Sequence, residues 1–291
     1  MTASGPLKVR SYAKLNLFLK VTGRRPDGFH ELVTLFERID LYDNLTFVPA
    51  PPGKIIITCD DRRVPCDARN LVYRVAVRLM EGEKVWRGAR IHIAKRIPVA
   101  AGLAGGSSNA AAAITGLDRL WGLKLSLVKR LAYARAIGSD VAFFLYDTPF
   151  ALGTGRGDII KPLAVKAQLW HVLVVPRAPV LTKDVYGLFG KTAARLTKPD
   201  ANVSMIVRSL KQQDPGGVGR ALVNDLEAPI LALKPQLAQL KARLIRQMPL
   251  GVSFSGSGPT VFAVTASPEE ALRIKNVFSR SYRQVFAART F

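Results

Sequence analysis

From Ala13 to Val21 the chain reads AKLNLFLKV, with Leu15, Leu17, Leu19 and Val21 alternating with Asn16, Phe18 and Lys20. A period of two marks a strand, and it sets Lys14 and Asn16, two residues apart, on one face. The turn formers Gly23-Arg24-Arg25-Pro26-Asp27-Gly28 follow, then a second extended stretch from Phe29 through Phe36 to Leu45. Pro49, Pro51, Pro52 and Gly53 break the chain before a strand at Lys54–Thr58. Over Asn70–Met80 the apolar residues Leu71, Val72, Val75, Ala76, Leu79 and Met80 recur at helical spacing. Ala89–Ile97 reads as extended, Pro98–Ser108 as a loop, and Asn109–Leu120 as a helix of small residues. Leu125–Ile137 is a further amphipathic helix, with Gly138 as its cap. Phe150–Ile160 is extended and punctuated by glycine, and His171–Val175 is a short apolar strand.

The second half of the pattern predicts helices near Lys183–Phe189, Asn202–Leu210 and Pro235–Gln247. Val252–Val264 reads as two strands joined by Gly256-Ser257-Gly258-Pro259. Ser267, Pro268 and Glu270 start another helix as cap, first-turn proline and capping-box acid. Tyr282–Arg289 closes as a strand. Strands and helices mix without a regular βαβ alternation, which predicts an α+β fold. A boundary within Lys161–Gln168 divides the chain into domains 1–163 and 164–291.

Composition narrows the class. The 291 residues, 48% of them hydrophobic, fit two packed domains. No apolar run reaches the roughly 18 residues needed to span a bilayer, and the first ten residues lack a secretory apolar core. The expectation is a soluble, cytoplasmic protein with no membrane partner. Cys59 and Cys66 have no metal-ligand spacing, and His30, His92 and His171 are too few for a histidine-rich metal centre. Net charge is +22, which calls for either an anionic partner or a basic solvated surface. No zinc finger, basic zipper or RNA-binding aromatic signature is present, so nucleic acid is not expected as a partner.

Chemistry concentrates in PVAAGLAGGSSN, Pro98–Asn109. Glycine lets backbone approach a ligand, and helix-start amides bind phosphate oxygens. Ser107 and Ser108 add hydroxyls. The same segment also reads as a tight strand-to-helix connection. Gly190-Lys191-Thr192 is similar to the end of a Walker A loop, but Val185 stands where that loop needs glycine. Gly153–Asp158, GTGRGD, reads as a turn. Asp140 in Gly138-Ser139-Asp140-Val141 is either a helix cap or a reactive carboxylate. Lys14, in an apolar strand, is either partnered or at an edge facing water. His92 and His171 read as structural.

Seven segments in order carry a resemblance: AKLNLFL at Ala13–Leu19, DGFHEL at Asp27–Leu32, the Pro98–Asn109 loop, GSDV at Gly138–Val141, TKDVY at Thr182–Tyr186, NDLE at Asn224–Glu227 and SGSGPTVFA at Ser255–Ala263. Together they resemble the GHMP kinases, and among these the branch acting on a methylerythritol that carries a cytidine diphosphate. The resemblance implies an N-terminal ribosomal-S5-domain-2-like domain and a C-terminal ferredoxin-like α/β-plait domain. It implies ATP and Mg²⁺, with no metal ligand assigned, and transfer of the γ-phosphoryl group to the substrate's 2-hydroxyl on a route to isoprenoid precursors. Kinases of homoserine or mevalonate type, or a nucleic-acid-binding protein of related fold, remain as alternatives. Lys14 and Asp140 match the catalytic pair, and Asn16 the acceptor hydroxyl. Phe29 and Tyr186 match aromatics that clamp cytosine, His30 a group that bonds its edge, and Thr182 a neighbour of the methylerythritol. Asn70, Leu71 and Lys95 match positions around adenine. Pro98, Ala100, Ala101, Gly102, Leu103, Ala104, Gly105, Gly106, Ser107 and Ser108 match the triphosphate loop. Ala100 and Ala104 replace glycines common there, Phe29 a tyrosine, Ala142 a proline and Asp158 a glutamate. A monomer or weak homodimer is expected.

Overall fold

A computed structural model describes residues 5–189 and 200–291. It contains two compact units interleaved along the chain rather than meeting at residue 163: residues 1–13, 41–99 and 104–147 form one, and residues 14–40, 100–103 and 148–291 the other. The Gly190-Lys191-Thr192 tripeptide lies outside the described residues.

Two long strands, β1 (Leu7–Arg24) and β2 (His30–Ala50), contribute to both units. In the first unit, the later part of β2 pairs antiparallel with β4 (Gly88–Ala94), and β4 pairs parallel with β3 (Ile55–Cys59). The expected alternation is present: Leu45, Phe47, Ile57, Ile91 and Ile93 are buried, whereas Asn44, Thr46, Arg90 and His92 lie on the other face. Three helices supply the cover, α1 (Leu71–Gly82), α2 (Gly105–Trp121) and α3 (Leu127–Ile137). Gly116 of α2 leaves room for the Phe47 ring. Gly138 does cap α3, but at φ 178°, an extended value open to any residue. A 3-10 helix, Ser139–Leu145, follows directly.

The second unit adds the hairpin β5 (Phe150–Thr154) and β6 (Ile159–Pro162), paired with the first half of β2. Next come β7 (Trp170–Val175), α4 (Thr182–Phe189), α5 (Asp200–Lys211), α6 (Pro215–Arg220) and β8 (Val223–Asn224). The chain ends with α7 (Glu227–Leu233), α8 (Gln236–Ile245), β9 (Gly251–Phe254), β10 (Val261–Thr265), α9 (Pro268–Ser279) and β11 (Gln284–Arg289). β7, β9, β10 and β11 make an antiparallel sheet in the order β11-β7-β10-β9. Its apolar face joins Leu19, Val21 and Leu32 to Val172, Val174, Phe254, Val261, Ile274 and Phe278 in one core. Ser267 caps α9 as expected, accepting from the Glu270 amide at 3.2 Å.

His171 is wholly buried against Glu37, Nε2 to carboxylate 2.9 Å, and Thr290 donates to the same carboxylate at 2.6 Å. This structural role is the one expected of it. His92 is exposed and bonds Thr58 at 3.0 Å. Cys59 and Cys66 are free thiols. Among the described residues no helix is long and apolar enough to cross a membrane.

Candidate active site

In the second unit the period of β1 does bring Lys14 and Asn16 together, both about 3% exposed. The Lys14 ammonium donates to Asn16 Oδ1 at 2.5 Å and to the Gly102 carbonyl at 2.9 Å. Asn16 Nδ2 donates to Thr34 Oγ1 at 2.8 Å, and Thr34 in turn donates to the Phe18 carbonyl. The amide orientation is therefore set on both sides, leaving Oδ1 toward the lysine.

The β9–β10 turn closes on this group. Gly256, at φ +56°, lies so near that a Cβ there would be 3.0 Å from Asn16 Oδ1 and 3.3 Å from Lys14 Nζ. Gly102, at φ +74°, has no room for a Cβ, which would strike the carbonyls of Ser255 and Gly258. Ser255 Oγ donates to the Gly102 carbonyl at 2.9 Å, and Thr260 Oγ1 to the Ala101 carbonyl at 2.6 Å. Asn224 anchors the turn by donating to the carbonyls of Phe254 and Gly256. Thus Ala101 and Gly102 are held by side chains from the far end of the sequence. Thr34, Asn224, Ser255 and Thr260 went unassigned in the sequence. NDLE and SGSGPT were visible as landmarks, but their target, a backbone carbonyl, has no sequence signature.

His30 stacks on Tyr186, with centroids 5.1 Å apart and planes at 29°, and His30 also meets the Phe189 edge. Phe29, 51% exposed, has the Arg156 guanidinium over its ring at 5.0 Å. Arg156 is in turn held by Asp158 at 3.0 Å. GTGRGD is therefore a turn, and one that carries a cation to Phe29. Burial, then the neighbouring Arg24, push His30 below the ordinary imidazole value. Its ring is neutral near pH 7, one nitrogen donating and one accepting. Thr182 Oγ1 and Ser257 Oγ are hydrogen-bonded at 2.9 Å.

In the first unit, α2 begins at Gly105, four residues before the expected start. Its cap residue, Ala104, has left-handed backbone (φ 54°, ψ 30°) and no side-chain cap bond. Ala100 has φ 54° as well. Alanine in this region costs about 1 kcal/mol relative to glycine, so both departures from glycine keep the glycine backbone. The first turn, Gly105-Gly106-Ser107, holds no acid. Its amides are left for an outside acceptor.

Beneath that helix start lies a polar group not foreseen from the sequence. Asp43 is fully buried and takes the Arg96 and Ile97 amides at 2.7 and 2.8 Å, Asn109 Nδ2 at 2.9 Å and the Lys95 ammonium at 2.8 Å. Lys95 also donates to the Ile97 carbonyl. Its ammonium thus points into this buried network and not to solvent. Ser108 is buried too, accepting from Ser11 at 2.7 Å, while Ser107 is only half-buried. Of the two serines, Ser107 is the more exposed. Asn70 caps α1, accepting from the Val72 amide at 2.9 Å. Leu71 lies beside Gly106, whose added Cβ would be 3.9 Å from it. Asp140 is half-buried in the first turn of the 3-10 helix. No group of three His, Cys, Asp or Glu suited to a metal occurs among the described residues.

Comparison with known proteins decides the family. The GHMP kinases N terminal domain matches residues 70–148, and the GHMP kinases C terminal domain residues 206–284. A 4-diphosphocytidyl-2-C-methyl-D-erythritol kinase from Geobacillus kaustophilus is 41% identical, covering 97% of this chain and 96% of its own. The chain belongs to the GHMP kinases. Within that family, a relative from Bacillus anthracis with the same name is 40% identical over 97% of this chain and 96% of its own. A crystal structure of a 4-(cytidine 5'-diphospho)-2C-methyl-D-erythritol kinase superposes with TM-score 0.83 at 33% identity, covering 97% of this chain and 98% of that one. The homoserine kinase of Cytophaga hutchinsonii shares the fold, with TM-score 0.77 at 22% identity over 100% and 96% of the two chains. GHMP kinases take their phosphoryl group from ATP, and the uncapped start of α2 is an anion-binding feature suited to one.

Proposed function

We propose that the protein transfers the γ-phosphoryl group of ATP to the 2-hydroxyl of 4-diphosphocytidyl-2-C-methyl-D-erythritol, in the methylerythritol phosphate route to isoprenoid precursors. The observation that carries this reading is the aromatic group: an open Phe29 ring backed by Arg156, followed by a His30 ring stacked on Tyr186. A kinase of small aliphatic alcohols has no use for it. The full-length relatives carrying that enzyme name support the same substrate.

Phosphoryl transfer depends mostly on positioning and charge stabilisation. The amides of Gly105, Gly106 and Ser107 hold phosphate oxygens, helped by the α2 dipole. Asn70, Leu71 and the Lys95 backbone border adenine. Pro98 and Ala100–Ala104 shape the loop. Bound together with ATP, Mg²⁺ would offset the charge of the phosphates held at the α2 start. Lys14, oriented by Asn16 and the Gly102 carbonyl, stabilises negative charge developing at the reacting oxygens. Asn16 positions the acceptor hydroxyl, and Asp140 accepts its proton. Phe29, His30 and Tyr186 hold cytosine, and Thr182 borders the methylerythritol unit.

A coupled assay of ADP release with ATP and Mg²⁺ tests the proposal. The diphosphocytidyl substrate is expected to turn over, and homoserine and mevalonate are not. Faster turnover of either of those alcohols would replace this reading with another GHMP activity.

A further inference from the structure

Kinase chemistry accounts for little of the +22 charge. Part of the excess gathers on the face of the β3-β4-β2 sheet opposite the helices, together with the start of β1. Lys8 and Arg10 of β1, Lys54 just before β3, and Arg90 and Arg96 in and just after β4 are all exposed. They occupy the positions that alternate with the buried Ser11, Ile57, Ile91 and Ile93. Register aligns Val48, Arg90 and Ile56 in one row, and Thr46, His92 and Thr58 in the next. The strand segments 7–12, 41–50, 54–58 and 88–96 contain one acid, Asp43, and it is buried on the helix side. The same face carries two tyrosines: Tyr12 and Tyr42 have centroids 5.4 Å apart, with Arg10 over Tyr42 at 4.8 Å and Arg96 at 5.8 Å.

We propose that this sheet face, Lys8, Arg10 and Tyr12 with Tyr42, Arg90 and Arg96, binds single-stranded RNA. Cations spread over paired strands about 4.8 Å apart match a string of phosphates. Tyrosine and guanidinium planes match splayed bases. An anionic bilayer fits less well, because it needs protruding apolar groups beside the cations. None of the exposed large hydrophobic side chains among the described residues lies in these strand segments.

The test is fluorescence anisotropy of the full chain with a labelled RNA of about twelve nucleotides. Binding is expected at about 100 mM salt, with log K falling against log salt at a slope of about −3, the value for four to five phosphates. Lys8→Gln/Arg10→Gln/Arg90→Gln is expected to weaken binding at least tenfold and flatten the slope, with ATP turnover unchanged. Tyr42→Leu is expected to weaken binding with the slope kept. The control Arg246→Gln/Arg280→Gln/Arg283→Gln removes equal charge from exposed sites elsewhere. Equal losses in the two triple variants would overturn the proposal, as would duplex RNA or phosphatidylglycerol vesicles binding as tightly as the single strand. Absence of RNA binding would overturn it while leaving the kinase reading intact.

Discussion

At the scale of single residues, two side chains divide the chemistry into measurable parts. Asp140→Asn keeps the size and removes the proposed base. Turnover is expected to fall by two orders of magnitude or more, about the contribution of a positioned general base, with ATP affinity retained by calorimetry. Phe29→Ala removes an exposed ring whose contribution is to binding, so KM for the cytidine-bearing substrate is expected to rise about tenfold with kcat little changed. An unaltered KM would argue against the clamp. His30 gives a pH signature. Its imidazole is held below the usual value by burial and Arg24, so the unfolded chain takes up this proton first as pH falls below about 6.5. Its contribution to stability therefore declines from there downward, until the folded-state ring is also protonated. The His30 ring carbons followed by NMR are expected to titrate below the free-imidazole midpoint, and Arg24→Gln to move that midpoint up.

Elements show where residue patterns stop being informative. The start of α1 was legible to within a residue, because Asn70 is both its predicted start and its observed cap, although the helix runs two residues past the expected end to Gly82. β1 and β2 run beyond the predicted stretches, since pairing on both sides extends a strand past its alternating part. The early start of α2 was hidden by Gly105-Gly106-Ser107-Ser108, residues of poor helical propensity. They are helical here because the apolar face of α2 is packed. α6 and α7 were missed for related reasons: α6 contains three glycines, and α7 is a seven-residue segment with an internal proline. For the site, Lys14, Asn16 and the loop were legible from period and composition, whereas the stacking of His30 on Tyr186 joins two distant elements. Asp43 had a signal that went unused: an acid at an inward position between Leu41 and Leu45. Its carboxylate ties the end of β4 to α2, and Asp43→Ala would strand the buried Lys95 ammonium. The expected loss is about 3–5 kcal/mol, read from urea unfolding, with a weakened ATP affinity because the helix start loses its support.

On the scale of the whole molecule, a cut at residue 163 would divide the second compact unit between two fragments. Segment 1–163 would hold every residue of the first unit, yet it would leave Leu19, Val21 and Leu32 without the core supplied by β7, β9, β10 and α9. Expressed alone, it is expected to show faster hydrogen exchange over Leu15–Leu19 than the intact chain. Slow exchange there would mean that the N-terminal part closes its own core. The pairing of Phe18 and Leu19 with Val223 and Asn224 also sets a schedule for the ribosome. At roughly 5–20 residues per second, β1 waits on the order of ten to forty seconds for β8 to be translated. Through that interval the nascent chain carries an unfinished apolar edge, open to non-native pairing.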